Sequence, residues 1–315
     1  MMYLKFDSMD AKMNFALEKY AMDELDVAKE YFMFWRTTPT LMVGRYQNTL
    51  REINMPFARE RNIDIVRRVT GGGTIYTDEN GWQFSFIVKE PDQRRIEFNT
   101  FTQPILDALH SIGVPAERSG RNDLVIGGRK FSGNAQYLRS NVVLHHGSLL
   151  FNTDLETLVR ALSVDDKKIV SKGIASVRQR VTNIAEHLSA PMTSLEFRDV
   201  MLSFLLRGAD TYEVTPQDIT RITEIKQAQF DTFKNMVPCK ILDEAVLLYG
   251  SHSLYEAAKG LLAERGIREK LAAMERAATE ARERAEKHLL NRAEANLNGD
   301  DLYLFYTSEE SEEFE

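Results

Sequence analysis

The segment from residue 66 to residue 88 reads VRRVTGGGTIYTDENGWQFSFIV, and its glycine triplet decides how the rest of the chain is interpreted. Consecutive glycines cost backbone entropy, so they are typical of places where the backbone turns sharply or lies against a ligand. Arg67 and Arg68 precede the triplet, and apolar, strand-like runs flank it. Backbone N–H groups beside two guanidinium groups indicate an anion-binding loop. A tight hairpin with solvated arginines is the alternative.

Composition places the chain among globular proteins of one large domain or two ordinary ones. It has 315 residues, of which 43% are hydrophobic and 28% are charged. The net charge of −7 comes from the last 17 residues, which hold seven acids and no base and leave 40 acidic against 40 basic residues elsewhere. Because no basic stripe is present, the sequence predicts no nucleic-acid partner.

The sequence also predicts a cytoplasmic protein with no membrane partner. Cys239 is the only cysteine, so an intrachain disulfide cannot form and a reducing compartment fits. No apolar run is long enough to cross a membrane, and the N-terminal stretch lacks the features of a signal or transit peptide.

Periodicity predicts an α+β fold with a mixed or antiparallel sheet flanked by helices. Strands are predicted at 31–36, 41–45, 63–69, 83–88 and 141–152, helices within 9–29, 100–114 and 195–206, and a hairpin at 123–138 that turns at Gly127-Gly128. The common nucleotide loops G-x-G-x-x-G and G-x-x-x-x-G-K-[ST] are absent from the sequence.

The composition changes after about residue 235. From Leu254 to Leu297, Ala, Glu, Arg, Lys and Leu dominate, with a thin apolar seam at helical spacing. A helical hairpin against the body or a partner and a merely solvated helix fit this seam equally well. We therefore expect a catalytic domain over residues 1–190, a helical extension over 191–250, and a helical region over 251–315 with an acidic, disordered tail.

A second chemical cluster, SGRNDLVIGGRKFSGNAQ, occupies residues 119–136. Lys130 follows the predicted turn of this hairpin, where it can reach across a sheet face into a cleft. There it would offer a compact positive charge to a phosphate or a developing oxyanion. An ordinary exposed hairpin lysine is the alternative.

The third and fourth clusters are LHHGSLLFN at 144–152 and SKGIASVRQRVTNI at 171–184. His145 and His146 are neighbours on a predicted strand, so their side chains point to opposite faces and at most one lines a given pocket. This spacing, without a thiolate cluster, argues against a zinc site. The fourth cluster places Lys172, Arg178 and Arg180 in a basic loop that either closes on an anion or is solvated.

Over residues 3–235 the chain resembles the lipoate–protein ligase family, within the biotin/lipoyl attachment fold. The resemblance rests on four blocks in register: RRVTGGGTIYTD, SGRNDLVIGGRKFSGNAQ, HHGSLLFN and SKGIASVRQRVTNI. It implies ATP-dependent activation of lipoate as lipoyl-AMP, followed by transfer to a lysine of a lipoyl carrier domain. The carrier would be a 2-oxoacid dehydrogenase E2 subunit or the glycine-cleavage H protein.

The resemblance also implies roles for individual residues. Lys130 is expected at the bridging acyl-phosphate, as the catalytic residue. The expected ATP and lipoyl-AMP ligands are Arg67, Gly72, Gly73, Thr74, Ile75, Tyr76, Asn122, Asp123 and Lys130; the expected lipoate ligands are Arg45, Gly71, Lys130, His146 and Gly147; and Asp123 is the expected contact of a magnesium ion held through the nucleotide.

The C-terminal part departs from the family pattern. Many members carry an accessory domain with a tryptophan near its start, whereas AQFDTFKNMVP at 228–238 has none. The C-terminal helices could replace that domain or bind a separate accessory protein that supports adenylation. An octanoyl or lipoyl transferase between carriers is an alternative, for which Cys239 is the only available thiol. A silent lipoyl-domain binder and a biotin ligase fit the residues less well.

Overall fold

The computed structural model describes residues 1–26, 28–89, 97–162 and 179–231. The chain divides into two units, Met1–Pro238 and Cys239–Glu315, and all described residues belong to the first. Most of the basic loop, Cys239, the helices predicted from Leu254 to Leu297 and the acidic tail lie outside the described residues. Their structures, and the predicted division into three segments, stay predictions of the sequence.

Eleven strands and seven α-helices are present in the described ranges. The strands are β1 (Met2–Lys5), β2 (Tyr31–Trp35), β3 (Thr40–Val43), β4 (Asp64–Arg67), β5 (Ile75–Thr77), β6 (Trp82–Lys89), β7 (Ala116–Ser119), β8 (Asp123–Ile126), β9 (Arg129–Arg139), β10 (Val142–Leu149) and β11 (Asp210–Glu213). The helices are α1 (Ala11–Asp23), α2 (Thr49–Glu52), α3 (Met55–Glu60), α4 (Phe98–Ser111), α5 (Leu155–Leu162), α6 (Ser194–Leu205) and α7 (Pro216–Ile225).

These strands form two mixed sheets, which confirms the predicted α+β class. The large sheet has eight strands in the order β11-β1-β2-β6-β10-β9-β8-β7, and the small sheet has three in the order β4-β3-β5. In the large sheet β1 runs parallel to both β11 and β2, and every other pairing is antiparallel.

The glycine triplet connects two strands that do not pair with each other. Strand β4 is parallel to β3 on one side, and β5 is antiparallel to β3 on the other. The loop between them therefore crosses the end of β3. This topology excludes the tight hairpin that the sequence left open for this segment.

The two faces of the large sheet are buried by different layers. On one face, α4 and α6 cover an aromatic core around Phe84. On the other face, α1 and α7 pack beside Met42 and Val66 of the small sheet. The small sheet thus lies over the same face as α1, which leaves a cleft between the two sheets.

Residues 191–231 contain more than the helical extension that the sequence predicts. Besides α6 and α7, they hold β11, which pairs with β1 from Met2–Asp210 to Lys5–Glu213. Strand β11 reads DTYE and is largely exposed, so it carries no apolar alternation that a sequence pattern could detect. Strand β11 is therefore the edge strand of the large sheet, next to β1. Within the described ranges, no helix is long and apolar enough to cross a membrane.

Replacing Phe197 by Ala should test the packing of α6. Phe197 is fully buried and stacks on Phe151 with ring centroids 4.4 Å apart. We expect the free energy of unfolding to fall by about 3–5 kcal/mol because a cavity replaces the ring. Leu195 on the same helix is 43% exposed, so Leu195→Ala should change it by less than about 0.5 kcal/mol. Equal effects in denaturant titrations would contradict this packing.

Candidate active site

A cavity of about 180 Å³ lies in the cleft between the two sheets. Nine of the residues predicted for the site line it: Gly71, Gly72, Gly73, Thr74, Ile75, Asn122, Lys130, His146 and Gly147. The cavity therefore joins the glycine loop, the β8–β9 hairpin and strand β10, which are far apart in the sequence.

Arg68 holds the glycine loop in place. Its Nη2 donates to the carbonyls of Gly71 at 2.9 Å and Gly73 at 2.7 Å, and its Nη1 donates to the carbonyl of Met42 at 2.7 Å. Burial lowers the pKa of Arg68 to about 10, so the guanidinium is still charged at neutral pH. The side chain organises the loop through its backbone carbonyls.

The loop also depends on its close approach to Gly44 at the end of β3. A Cβ placed on Gly44 would lie 1.8 Å from the carbonyl oxygen of Gly72. Only glycine permits this separation without moving the loop.

Arg67, Arg45 and Tyr76 lie outside the lining of this cavity. Arg67 donates to the carbonyls of Gly44 at 2.6 Å and Gln47 at 2.8 Å, and burial together with Arg68 lowers its pKa to about 10. With Arg45 it lines a neighbouring cavity. The Tyr76 side chain is buried in the core of the small sheet. The structure thus does not bring these three side chains together with Lys130.

Lys130 stands at the rim of the cavity on the predicted β8–β9 hairpin. Gly127 and Gly128 have φ values of +55° and +76°, so the turn is confirmed at these two residues. The Lys130 ammonium lies 2.7 Å from Asp123 Oδ1, and a Cβ on Gly133 would lie 3.1 Å from Lys130 Nζ. Asp123 and the bare backbone of Gly133 thus hold the ammonium at the cavity mouth.

A pair of asparagines forms the wall next to Lys130. The side-chain amide of Asn122 donates to the backbone carbonyl of Asn134 at 2.9 Å, and the side-chain amide of Asn134 donates to the backbone carbonyl of Asn122 at 3.0 Å. His145 Nε2 lies 3.2 Å from Asn134 Oδ1, and its Nδ1 lies 2.9 Å from Gln136 Nε2. Burial lowers the pKa of His145 to about 3, so its imidazole is neutral at neutral pH. The neutral ring orients the side chain of Asn134.

His146 points to the opposite face from His145, as strand alternation predicts, and enters the cavity. Its Nδ1 lies 3.1 Å from Glu18 Oε1, and its Nε2 lies 2.7 Å from Thr70 Oγ1. Ser85 donates to the same carboxylate at 2.6 Å and accepts from Trp35 Nε1 at 3.0 Å. This buried network links α1, β2, β6 and β10 to the start of the glycine loop.

Sequence reasoning missed several residues of the site. Phe15, Trp35, Met42 and Gln83 line the cavity but read as ordinary strand or helix positions. Glu18 appears in the sequence as one more charged residue of a helix. Its role becomes visible only when the fold brings His146, 128 positions away, against it.

No group of three or more His, Cys, Asp or Glu residues in the described ranges could hold a metal ion. Asp123 is the one acidic side chain predicted for that role, and Lys130 already pairs with one of its oxygens. Magnesium often binds through one carboxylate together with substrate phosphates. The residues therefore fit a metal that arrives with a phosphate ligand better than a resident metal.

Comparisons with known proteins confirm the family resemblance found in the sequence. The model of the lipoyl protein ligase A/B catalytic domain matches residues 10–206. The chain is 40% identical over 229 residues to the lipoate-protein ligase LplJ of Bacillus subtilis, covering 71% of this chain and 69% of that protein.

Solved structures share the fold. The bipartite lipoate protein ligase of Thermoplasma acidophilum, studied with its E2 lipoyl domain, has a TM-score of 0.68 and 24% identity, covering 75% of this chain and 95% of that one. A lipoate-protein ligase A bound with ATP has a TM-score of 0.64 and 21% identity, covering 75% and 97%.

Replacing Gly44 by Ala should displace the glycine loop. We expect a loss of about 1–3 kcal/mol in the free energy of unfolding, because the new Cβ overlaps the Gly72 carbonyl. Gly73→Ala is the matched control, since nothing lies within 4 Å of its added Cβ. Denaturant titration should show little change for that variant, and equal losses would contradict the close approach.

Stability should fall in mild acid because of His145. Its folded pKa of about 3 lies below the ordinary 6.5, so between these values only the unfolded state binds the proton. Stability is therefore complete above about pH 6.5 and declines as pH falls towards 3. Between pH 7 and pH 5 the wild type should lose about 2 kcal/mol more than His145→Gln. Equal losses in urea titrations would contradict a neutral, buried His145.

Proposed function

The chain belongs to the lipoyl protein ligase A/B family, and we propose that it is an ATP-dependent lipoate–protein ligase. In this reaction the lipoate carboxylate attacks the α-phosphorus of ATP and pyrophosphate leaves. The amine of a carrier lysine then attacks the acyl carbon of lipoyl-AMP, and AMP leaves. A poor acyl donor becomes a good one through the mixed anhydride.

The observation that carries the proposal is the position of Lys130 at the mouth of a cavity roofed by the glycine loop. Its ammonium is a compact charge that can contact the acyl oxygen and the phosphate together. As charge develops on these oxygens, a fixed cation nearby stabilises the transition state. Asp123 holds the ammonium in position, at 2.7 Å.

The glycine loop supplies donors for the phosphate. Arg68 occupies the carbonyls of Gly71 and Gly73, whereas the N–H groups of Gly71–Gly73 make no hydrogen bond within the described part of the chain. Thr74 Oγ1 is likewise buried without a partner among the described residues. Backbone N–H groups without a partner in the lining of a cavity favour an anion.

We assign the remaining predicted ligands by whether they line the cavity. Asn122, with Ile75 of β5, would contact the nucleotide, and His146 with Gly147 would contact the acyl chain. Arg67 would act indirectly, by fixing the loop from Gly44 to Gln47 through its carbonyls, and Arg45 is a residue of that loop. Tyr76 would support β5 from the core of the small sheet. Magnesium would come with ATP and touch Asp123.

The relatives suggest the acceptor. The Thermoplasma ligase was studied with an E2 lipoyl domain, and we propose a lipoyl carrier domain as the acceptor here. An E2 subunit and the glycine-cleavage H protein are equally compatible. A requirement for an accessory protein that binds the C-terminal helices, and a cytoplasmic location, stay predictions of the sequence.

Lys130→Ala should abolish most of the activity. A purified lipoyl domain incubated with the protein, lipoate, ATP and magnesium should gain one lipoyl group in intact-mass analysis. The variant should be slower by about 10²–10³-fold, because a transition-state cation is lost. Lys5→Ala is the control, since Lys5 lies on β1 and pairs with Glu213.

Three outcomes of this assay would separate the alternatives. An unchanged rate for folded Lys130→Ala would overturn the role of Lys130. Transfer without ATP from an octanoyl or lipoyl carrier would indicate the transferase instead. Transfer from supplied lipoyl-AMP but not from free lipoate would indicate that adenylation needs an accessory partner.

A further inference from the structure

Gln83 is a buried polar residue in the lining of the cavity. It is 4% exposed and shares the lining with the apolar side chains of Phe15, Trp35 and Met42. One end of its amide, Nε2, bonds Thr77 Oγ1 at 2.6 Å. The other end, Oε1, is buried and has no hydrogen-bond partner in the described part of the chain. Such orphaned groups are rare and point to a missing partner.

The position of Gln83 relative to Lys130 is fixed by the sheet. Four cavity residues on adjacent strands form one row across the sheet: Gly133 on β9, Ser148 on β10, Gln83 on β6 and Trp35 on β2. Ser148 and Trp35 are register partners of Gln83, and the Gly133 N–H lies 3.5 Å from Ser148 Oγ. The Lys130 ammonium stands over Gly133, at the start of the row.

The row has the length of the acyl chain. Two interstrand spacings, about 10 Å, separate Gly133 on β9 from Gln83 on β6. An extended eight-carbon chain whose carboxyl group meets Lys130 would end next to Gln83, against Trp35. The orphaned amide therefore lies where lipoate carries its two sulfur atoms and octanoate carries only a methyl group.

We propose that Gln83 is a specificity-determining residue that selects the dithiolane end of lipoate over the alkyl end of octanoate. The inference rests on the proposed function and adds to it the choice between the two acids. Gln83 does not touch the reacting atoms, so its effect falls on binding of the acyl chain.

The selection follows from what each ligand offers the amide. Either acid displaces water from the end of the cavity. Rotating the amide by half a turn keeps a bond to Thr77 and turns its NH₂ group towards the ligand. A ring sulfur is a polarizable, weak acceptor for that group. The methyl end of octanoate leaves the amide with neither water nor partner, which a buried polar group tolerates poorly.

The test compares lipoate and octanoate as substrates. We would measure kcat/KM for both acids with ATP and a lipoyl domain, for the wild type, Gln83→Leu and Gln83→Met. The wild type should prefer lipoate, and both variants should lower the lipoate-to-octanoate ratio about tenfold, chiefly through a lower KM for octanoate. The control is Gln103→Leu, the same replacement at an exposed position of α4 outside the cavity, which should alter the ratio less than twofold.

Binding of each acid without ATP, measured by calorimetry, gives the same comparison independently of catalysis. The tenfold change in relative affinity should appear there too. A wild type without preference, or a ratio unchanged in both folded Gln83 variants, would overturn the role of Gln83 while leaving ligation intact. Binding with the expected selectivity but no transfer of either acid would instead overturn the proposed function and keep the inference.

Discussion

The coordination of the buried Arg68 guanidinium by backbone carbonyls is the interaction on which the site depends. Hydrogen bonds from a charged donor are stronger than neutral ones, and here they fix both the end of β3, through Met42, and the loop, through Gly71 and Gly73. With the carbonyls bound, the loop's N–H groups are left for a ligand. The Arg68 side chain thereby holds the glycine triplet in one conformation, with its N–H groups available to a ligand.

Strand alternation supplies the opposite side of the cavity. On β10, His146 faces the cavity and His145 faces the aromatic core, so two adjacent residues serve two networks. His146 connects Glu18 to the glycine loop through Thr70, and His145 orients Asn134 beside the hairpin. The same alternation on β6 places Gln83 in the cavity. The glycine loop on one side of the cavity and strands β6 and β10 on the other are therefore both positioned by the packing of the two sheets.

Sequence patterns predicted local features well and long-range ones poorly. The β8–β9 turn follows from Gly127-Gly128, and Lys130 lies where the hairpin puts it. The burial of Arg67 among carbonyls and of Tyr76 in a core depends on which strands flank β3, and periodicity carries no such information. The Glu18–His146 contact was invisible for the same reason, since 128 positions separate its members. The glycine triplet was predicted to lie at the site, and it lines the cavity, but its support by Arg68 required the fold.

A crystal structure of the full chain with lipoate and an unreactive ATP analogue tests the central claim most directly. The account predicts the carboxylate beside Lys130 Nζ, the α-phosphate against the N–H groups of Gly71–Gly73, and the acyl chain along the row from Gly133 to Trp35 with its sulfurs next to Gln83. An acyl chain in the neighbouring cavity lined by Arg45 and Arg67 would contradict it, as would a carboxylate turned away from Lys130.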